Sequence, residues 1–545
     1  MLFIFLTLTI IIPTLLGWGK FIESCSKSQI FDGLAGKIVL GIFGISILWT
    51  VLSFFIPLNL SVEIPTTLLG LIYFFKEKLY LQLYQLSKLN SVLLAVSLLV
   101  ISFCSSFYPY ILDHFGYYFP SIQWLREYGL VKGISNLDLV LGQMSVWHIF
   151  QAGFSNFTDP FLRINAALLV IYLIYIIEKK SWIQLCFLPV LFLFSQSPSP
   201  DLPVIIFSLI LLNEILSGNR NTFLIFAFSV FVFAIKPTMI WLPILSFFHS
   251  VFIVKSRFKS LIPGIFVFFL FIFKNIWTFG YPVFPVSVID FGFSWKPDEE
   301  LLKSSAEFAI LKTFDNQYTY PQIQQFSTFE YIKNWLFLDG IKSVFNILFI
   351  LSLIILIIFA FIKKKKMITF ICISILIKSI LVLLFSAQYR FFIDVFFVVI
   401  FLLLFKYFDK KKSIIFYYLL CIIFVGFITF PSVIAQSVPS YRMSSLMGKF
   451  ELKQLYKPSS YNYRKYNSFE TGNLKFNVSE KYPFNFDTPV PAISESFVFD
   501  YQKAGIFPQL INKNDIRKGF ISKKMNPHEQ KQVKIITKEI KNSYK

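Results

Sequence analysis

Four charged side chains stand out because each lies at the edge of an apolar segment: Asp113, Asp201, Lys236 and Arg390. Ionisable groups at the mouth of a helical bundle are costly to keep out of bulk water, so they are candidates for function. A carboxylate such as Asp113 or Asp201 can take a proton from an incoming hydroxyl or orient it. A lysine or guanidinium such as Lys236 or Arg390 can hold a phosphate and stabilise charge developing on its oxygens. Simpler roles stand beside these. Asp113 can solvate the end of a span, and Asp201 follows two prolines where a helix should begin, so it can cap that helix. Lys236, just before Pro237, can snorkel to a membrane interface. His114, Tyr117 and Tyr118 follow Asp113, Trp124 sits on a short amphipathic stretch at 120–128, and Tyr389 precedes Arg390. These rings are the candidate walls of a groove.

The elements that must position these groups are apolar. Hydrophobic residues make up 56% of the 545 and charged residues only 15%, with a mean hydropathy of +0.66. A water-soluble chain of this length would expose far more charge, so most of it is expected to be solvated by lipid. Apolar runs occur at 2–18, 35–57, 62–75, 91–108, 163–177, 181–196, 201–216, 221–234, 238–254, 260–278, 341–362, 367–385, 391–405 and 413–430. The fold class this predicts is an all-α integral membrane protein, a polytopic bundle of about 14 spans (12–14). The first run has no basic leader and no small-residue cleavage site, so it is read as a span.

The net charge is +21, but its distribution argues against nucleic acid. Between the runs the cations cluster: Lys20, Lys27 and Lys37; Lys76, Lys78 and Lys88; Lys179 and Lys180; Arg220; Lys255, Arg257 and Lys259; Lys363 to Lys366; Lys406 and Lys410 to Lys412. Placing all of them on the cytoplasmic side yields one topology without conflict, as the positive-inside rule requires. Both termini then lie outside. So do the loops 108–162, 279–340 and 386–390, and with them all four charged candidates. Residues 1–431 form the bundle, and 432–545 form a small external segment with 19 Lys and Arg against 9 Asp and Glu, ending in a basic tail.

Other chemistries find little support. The five cysteines (Cys25, Cys104, Cys186, Cys372, Cys421) lie in or beside apolar runs without a CxxC pair, which reads as core packing. His114 and His148 are too far apart in sequence to show a metal pattern, so no cofactor is assigned, and a divalent metal stays open. No GxxxxGK[ST] or GxGxxG run occurs, so an intracellular nucleotide-sugar donor is not expected. Trp124, Trp147, Trp277 and Trp335 are expected in the aromatic belt at the interface. Lys378 and Asp394 are the nearest to charges inside spans, and Asp394, four residues after Arg390, is placed to pair with it one helical turn away.

A base near an acceptor, with cations facing a lipid phosphate, is the arrangement that an outer-leaflet sugar transferase with a polyprenyl-phosphate donor needs. The run Leu112-Asp113-His114-Phe115-Gly116-Tyr117-Tyr118, followed by Gln123, Trp124 and Gly129 to Gly133, resembles the first outer loop of the GT-C superfamily of polytopic glycosyltransferases. More closely, the chain resembles an uncharacterised bacterial family of large multi-spanning membrane proteins. That likeness rests on the same loop and on Ser197 to Asp201, Ile235-Lys236-Pro237, Lys274 to Pro285, Gln388 to Phe391 and Asn485 to Pro491. The superfamily resemblance implies inverting transfer of a hexose or pentose, with Asp113 as base or acceptor-positioning group and Asp201 as a second acid. It implies donor-phosphate contacts at Lys236 and Arg390. Its partners would be membrane lipids, a lipid-linked sugar donor and a glycan, lipid or protein acceptor. Two departures are plain: the acidic loop follows the fourth apolar run instead of the first, and His114 stands where a second acid is usual.

Three alternatives stay open. An O-antigen-type polymerase or ligase would rely on arginines in a long late loop, and 279–340 has none. A transporter of lipid-linked glycans would carry charge inside several spans. A non-catalytic assembly protein would tolerate replacement of Asp113.

Overall fold

Away from water, a backbone satisfies its own N–H and C=O groups most completely as helix, and the chain is mostly helical in the computed structural model. The structure describes residues 1–437, 450–461, 463 and 465–544, so 438–449 of the expected C-terminal segment and the last tail residue, 545, lie outside the described residues.

Six helices are long and apolar enough to cross a membrane: Leu2–Ser26, Leu34–Leu52, Phe258–Phe279, Ile341–Lys363, Lys366–Phe385 and Lys410–Thr429. A seventh crossing would be Leu79–Lys88 with Ser91–Ser105, two helices bent by 100°. Fourteen spans are therefore not what the structure shows. The other seven runs form shorter or broken helices. Ile164–Lys179 and Asp201–Leu216 have 16 residues each and are almost wholly buried inside the bundle. At 1.5 Å per residue such a helix falls short of the roughly 30 Å of a hydrocarbon core. An apolar run buried in protein looks the same in sequence as one facing lipid, so apolar runs and helices of spanning length differ in number.

The first helices pack through small residues. A Cβ on Gly17 would lie 1.7 Å from Gly70 O, and one on Gly19 would lie 1.8 Å from Lys37 O. Glycine is what lets these backbones touch.

Successive helices bring the basic clusters together at one end of the bundle. There Asn221 Nδ2 donates to Ser28 Oγ (2.9 Å), and Thr222 Oγ1 and Ser256 Oγ lie 2.7 Å apart. Lys366 Nζ donates to Phe252 O (3.4 Å), and Lys410 Nζ stands 5.2 Å over Trp182. Asp113, Asp201, Lys236 and Arg390 lie at the opposite end, where the Met1 ammonium also donates to Gln454 O.

The all-α expectation is also corrected, because the C-terminal segment holds four short strands. β1 (Tyr466–Thr471) pairs antiparallel with β2 (Leu474–Ser479), and β3 (Ile506–Leu510) pairs antiparallel with β4 (Phe520–Lys524). Helices Glu495–Ala504 and Pro527–Ser543 accompany them, so the basic tail is mostly helix. This segment docks on the 106–138 region: Phe520 N donates to Lys132 O (3.0 Å), Tyr501 Oη to Asn136 O (2.8 Å) and Phe486 N to Phe115 O (3.2 Å). Its side chains belong to the same hydrophobic core as the bundle.

Candidate functional site

Each of the four charged candidates is placed by a local break in regular structure. Asp113 precedes a π-helical turn, His114–Tyr118, that leads into the helix Phe119–Glu127; such turns are frequent at functional sites. Asp201 opens the helix Asp201–Leu216 behind Ser197, Pro198, Ser199 and Pro200. Lys236 ends the helix Thr222–Ile235 with an extended backbone, φ −149° and ψ 113°, as the following proline demands. Arg390 sits in a 3-10 turn, Tyr389–Phe391, between the helices Lys366–Phe385 and Ile393–Leu404.

Together these breaks bring all four side chains into one cluster of two acid–cation pairs. Arg390 Nη1 donates to Asp113 Oδ2 at 2.6 Å. Lys236 Nζ donates to Asp201 Oδ1 and, at 3.2 Å, to Arg390 O. Both cations stand over one ring: Lys236 Nζ is 5.2 Å and Arg390 Cζ 5.1 Å from the Phe391 centroid. The pairs differ in access. The Asp113 and Arg390 side chains are 30% and 39% exposed, against 15% and 14% for Asp201 and Lys236, so the first pair is the more accessible.

Asp201 does not act as a side-chain cap. Its Oδ2 accepts from Ser199 Oγ at 3.2 Å and its Oδ1 from Lys236. The Ser-Pro turn before it is fastened by Asn165, whose Nδ2 donates to Phe194 O (3.0 Å), Ser197 O (2.7 Å) and Ser199 O (3.1 Å). Trp147 Nε1 in turn donates to Asn165 Oδ1 at 2.9 Å. Asn165, Ser197 and Ser199 were not singled out as functional by sequence. For the two serines the signal was the run Ser197 to Asp201, dense in serine and proline, on which the family likeness partly rests; Asn165 had none.

The remaining predicted residues divide. Tyr117 is half-buried at the cluster, and Tyr118 is buried behind it, its Oη 3.5 Å from Ser199 Oγ. His114 is buried too, with Nδ1 3.0 Å from Ser197 Oγ; burial first, then the Arg163 charge, lowers its pKa to about 3. His114 is therefore a neutral brace for the Ser-Pro turn and no groove wall. Tyr389 is exposed and stacks on Phe345 with centroids 5.6 Å apart. Trp124 does not line the site: its ring is fully buried against Tyr128 and Phe520, because the C-terminal segment covers it. Trp147 and Trp335, expected in the interface belt, are buried as well.

Asp394 does not pair with Arg390. Its Oδ1 takes the Lys378 ammonium and its Oδ2 accepts from Trp241 Nε1 at 2.9 Å. Both residues lie at helix faces turned into the bundle, while Arg390, in the turn before, faces outward to Asp113. Among the described residues no group of three or more His, Cys, Asp or Glu comes together as metal ligands, and the two candidate carboxylates are already engaged by cations. The residues here do not form a metal cradle.

Comparison with known proteins adds one assignment. No curated protein and no solved structure matches the chain. A match over residues 1–397, which takes in the whole four-residue cluster, shows that the chain belongs to the family defined as a domain of unknown function, DUF8201.

Proposed function

We propose that this protein is a bacterial membrane glycosyltransferase of GT-C type. It moves a sugar from a polyprenyl-phosphate donor to a cell-envelope acceptor on the outer face of the cytoplasmic membrane. The observation that supports this reading is the convergence of Asp113, Asp201, Lys236 and Arg390, distant in sequence, at the end of the bundle opposite the basic clusters. The Asp113 carboxylate accepts the proton of the acceptor hydroxyl as its oxygen attacks the anomeric carbon. The bond from that carbon to the phosphate oxygen breaks, and the electron pair leaves with the lipid phosphate. Arg390 and Lys236 exchange their carboxylate partners for that phosphate and stabilise its developing charge. Asp201, held by Ser199, keeps Lys236 in place until then.

The test is Asp113→Asn in the full chain, with surface glycans and lipid-phosphate-dependent sugar transfer measured at equal protein level. Loss of a general base typically slows such a step by about 100-fold or more. Unchanged glycans and transfer would remove Asp113 from the chemistry. A second reading, transport of a lipid-linked glycan, is favoured by one observation: the buried Lys378–Asp394 pair puts charge inside the helices. It calls for lipid-linked glycan to cross the membrane with no sugar transferred.

A further inference from the structure

The connection between the helices Phe258–Phe279 and Ile341–Lys363 carries a short helix, Thr328–Leu336, with apolar residues on two faces. The inner face is used. Trp335 is buried and its Nε1 donates to Ala387 O at 2.9 Å, three residues before Arg390. Tyr331 packs edge-on to Phe314, centroids 4.9 Å apart. The outer face is exposed: Phe329 is 74% and Ile332 52% exposed, and Phe337, just past the helix end, is 66% exposed. Leaving large apolar side chains in water forgoes about 1.5–3 kcal/mol each relative to burial. One cation, Lys333, shares this face, and a lysine stem can lie along apolar surface while its ammonium reaches a headgroup.

The apolar surface does not stop at the loop. Past Gly340 it continues along the outward side of Ile341–Lys363 through Val344, Leu348 and Leu351, all exposed. That helix is among those long and apolar enough to cross a membrane. Exposed apolar residues on a short amphipathic helix and on a helix of spanning length that follows it are what a leaflet boundary requires.

We propose that the outer face of Thr328–Leu336, with Phe337, is seated in the interfacial layer of the membrane at the Arg390 end, against headgroups and upper acyl chains. The proposal rests on the reading that the chain spans a membrane. Its consequence is positional. Through Trp335 and Ala387 the seated helix ties the leaflet surface to the Ser386-to-Arg390 turn and sets the guanidinium at the height of lipid phosphates.

The test uses the full chain in phospholipid nanodiscs in a Cys25→Ser background, since the other four cysteines are buried. A polarity-sensitive fluorophore is attached to Phe329→Cys or Ile332→Cys, to Gln325→Cys as an exposed polar control on the same loop, and to Ile354→Cys on the spanning helix. Quenching by nitroxide-labelled lipid is compared with quenching by aqueous iodide. The expected result is blue-shifted emission, stronger lipid quenching and weaker iodide quenching at 329 and 332 than at 325. If 354 is reached by lipid while 329 and 332 behave like 325, this proposal fails and the spanning reading survives. Shielding of 329 and 332 from both quenchers would assign the face to a protein contact and overturn the proposal. Failure of lipid to reach 354 would remove the spanning reading and the proposal with it.

Discussion

Arg390 is held between burial, which opposes its charge, and its neighbours, foremost the Asp113 carboxylate, which more than restore it. The guanidinium therefore stays charged, and in the proposed reaction the donor phosphate competes with Asp113 for it. His114 is the opposite case. With burial, then Arg163, then His148 all lowering its pKa to about 3, the ring is neutral in the fold and titrates near 6.5 once unfolded. Between those values the unfolded chain binds the proton and the folded chain does not, so His114 makes stability fall as pH drops below about 6.5. The expected outcome is that His114→Asn lessens the fall in thermal midpoint between about pH 7 and about pH 4. Parallel melting curves of the two proteins over that range would refute the buried neutral ring.

Among the elements, the pair of helices that carries Arg390 is held from beneath. Lys378 in Lys366–Phe385 and Asp394 in Ile393–Leu404 join across the interior, and Trp241 in the helix Trp241–Phe248 adds a third contact. Removing one member of a buried pair strands the other, so Lys378→Met is expected to cost about 3–5 kcal/mol. The double variant Lys378→Met/Asp394→Leu should recover most of that loss. The check is the thermal midpoint of the detergent-solubilised protein, and a double variant no better than the single would show that the pair does more than neutralise itself. Asn165 plays a comparable part for Asp201, tying three carbonyls of the Ser-Pro turn with one amide.

The whole molecule is polarised, with lysine-rich turns at one end and the acid–cation cluster at the other. In cells, a cysteine replacing the exposed Tyr389 is expected to react with an impermeant maleimide. One replacing the exposed Lys364 should react only after the membrane is opened. The reverse pattern would overturn the proposed orientation. The C-terminal segment belongs to the cluster end. Asp138 Oδ2 there accepts from Ser494 Oγ (2.6 Å), Ser494 N (3.3 Å) and Asn485 Nδ2 (3.1 Å). Asp138→Ala leaves these donors unpaired at a cost of about 1–3 kcal/mol, read as faster proteolysis or hydrogen exchange over residues 485–504. Unaltered protection there would show that other contacts hold the segment.

Composition and charge spacing by themselves determined that this chain is a helical bundle with its cations clustered between apolar runs, because both signals are local. The four charged candidates were legible for the same reason: each stands where an apolar run meets a turn. Tertiary structure alone decided their partners. Spacing offered Asp394 to Arg390, but the turn at 389–391 points the guanidinium outward to Asp113 and leaves Asp394 facing Lys378. Which apolar helices are exposed and which are enclosed by other helices, and the covering of Trp124 by β4, were likewise outside the reach of sequence pattern. Burial depends on neighbours hundreds of residues away, and no local periodicity encodes them.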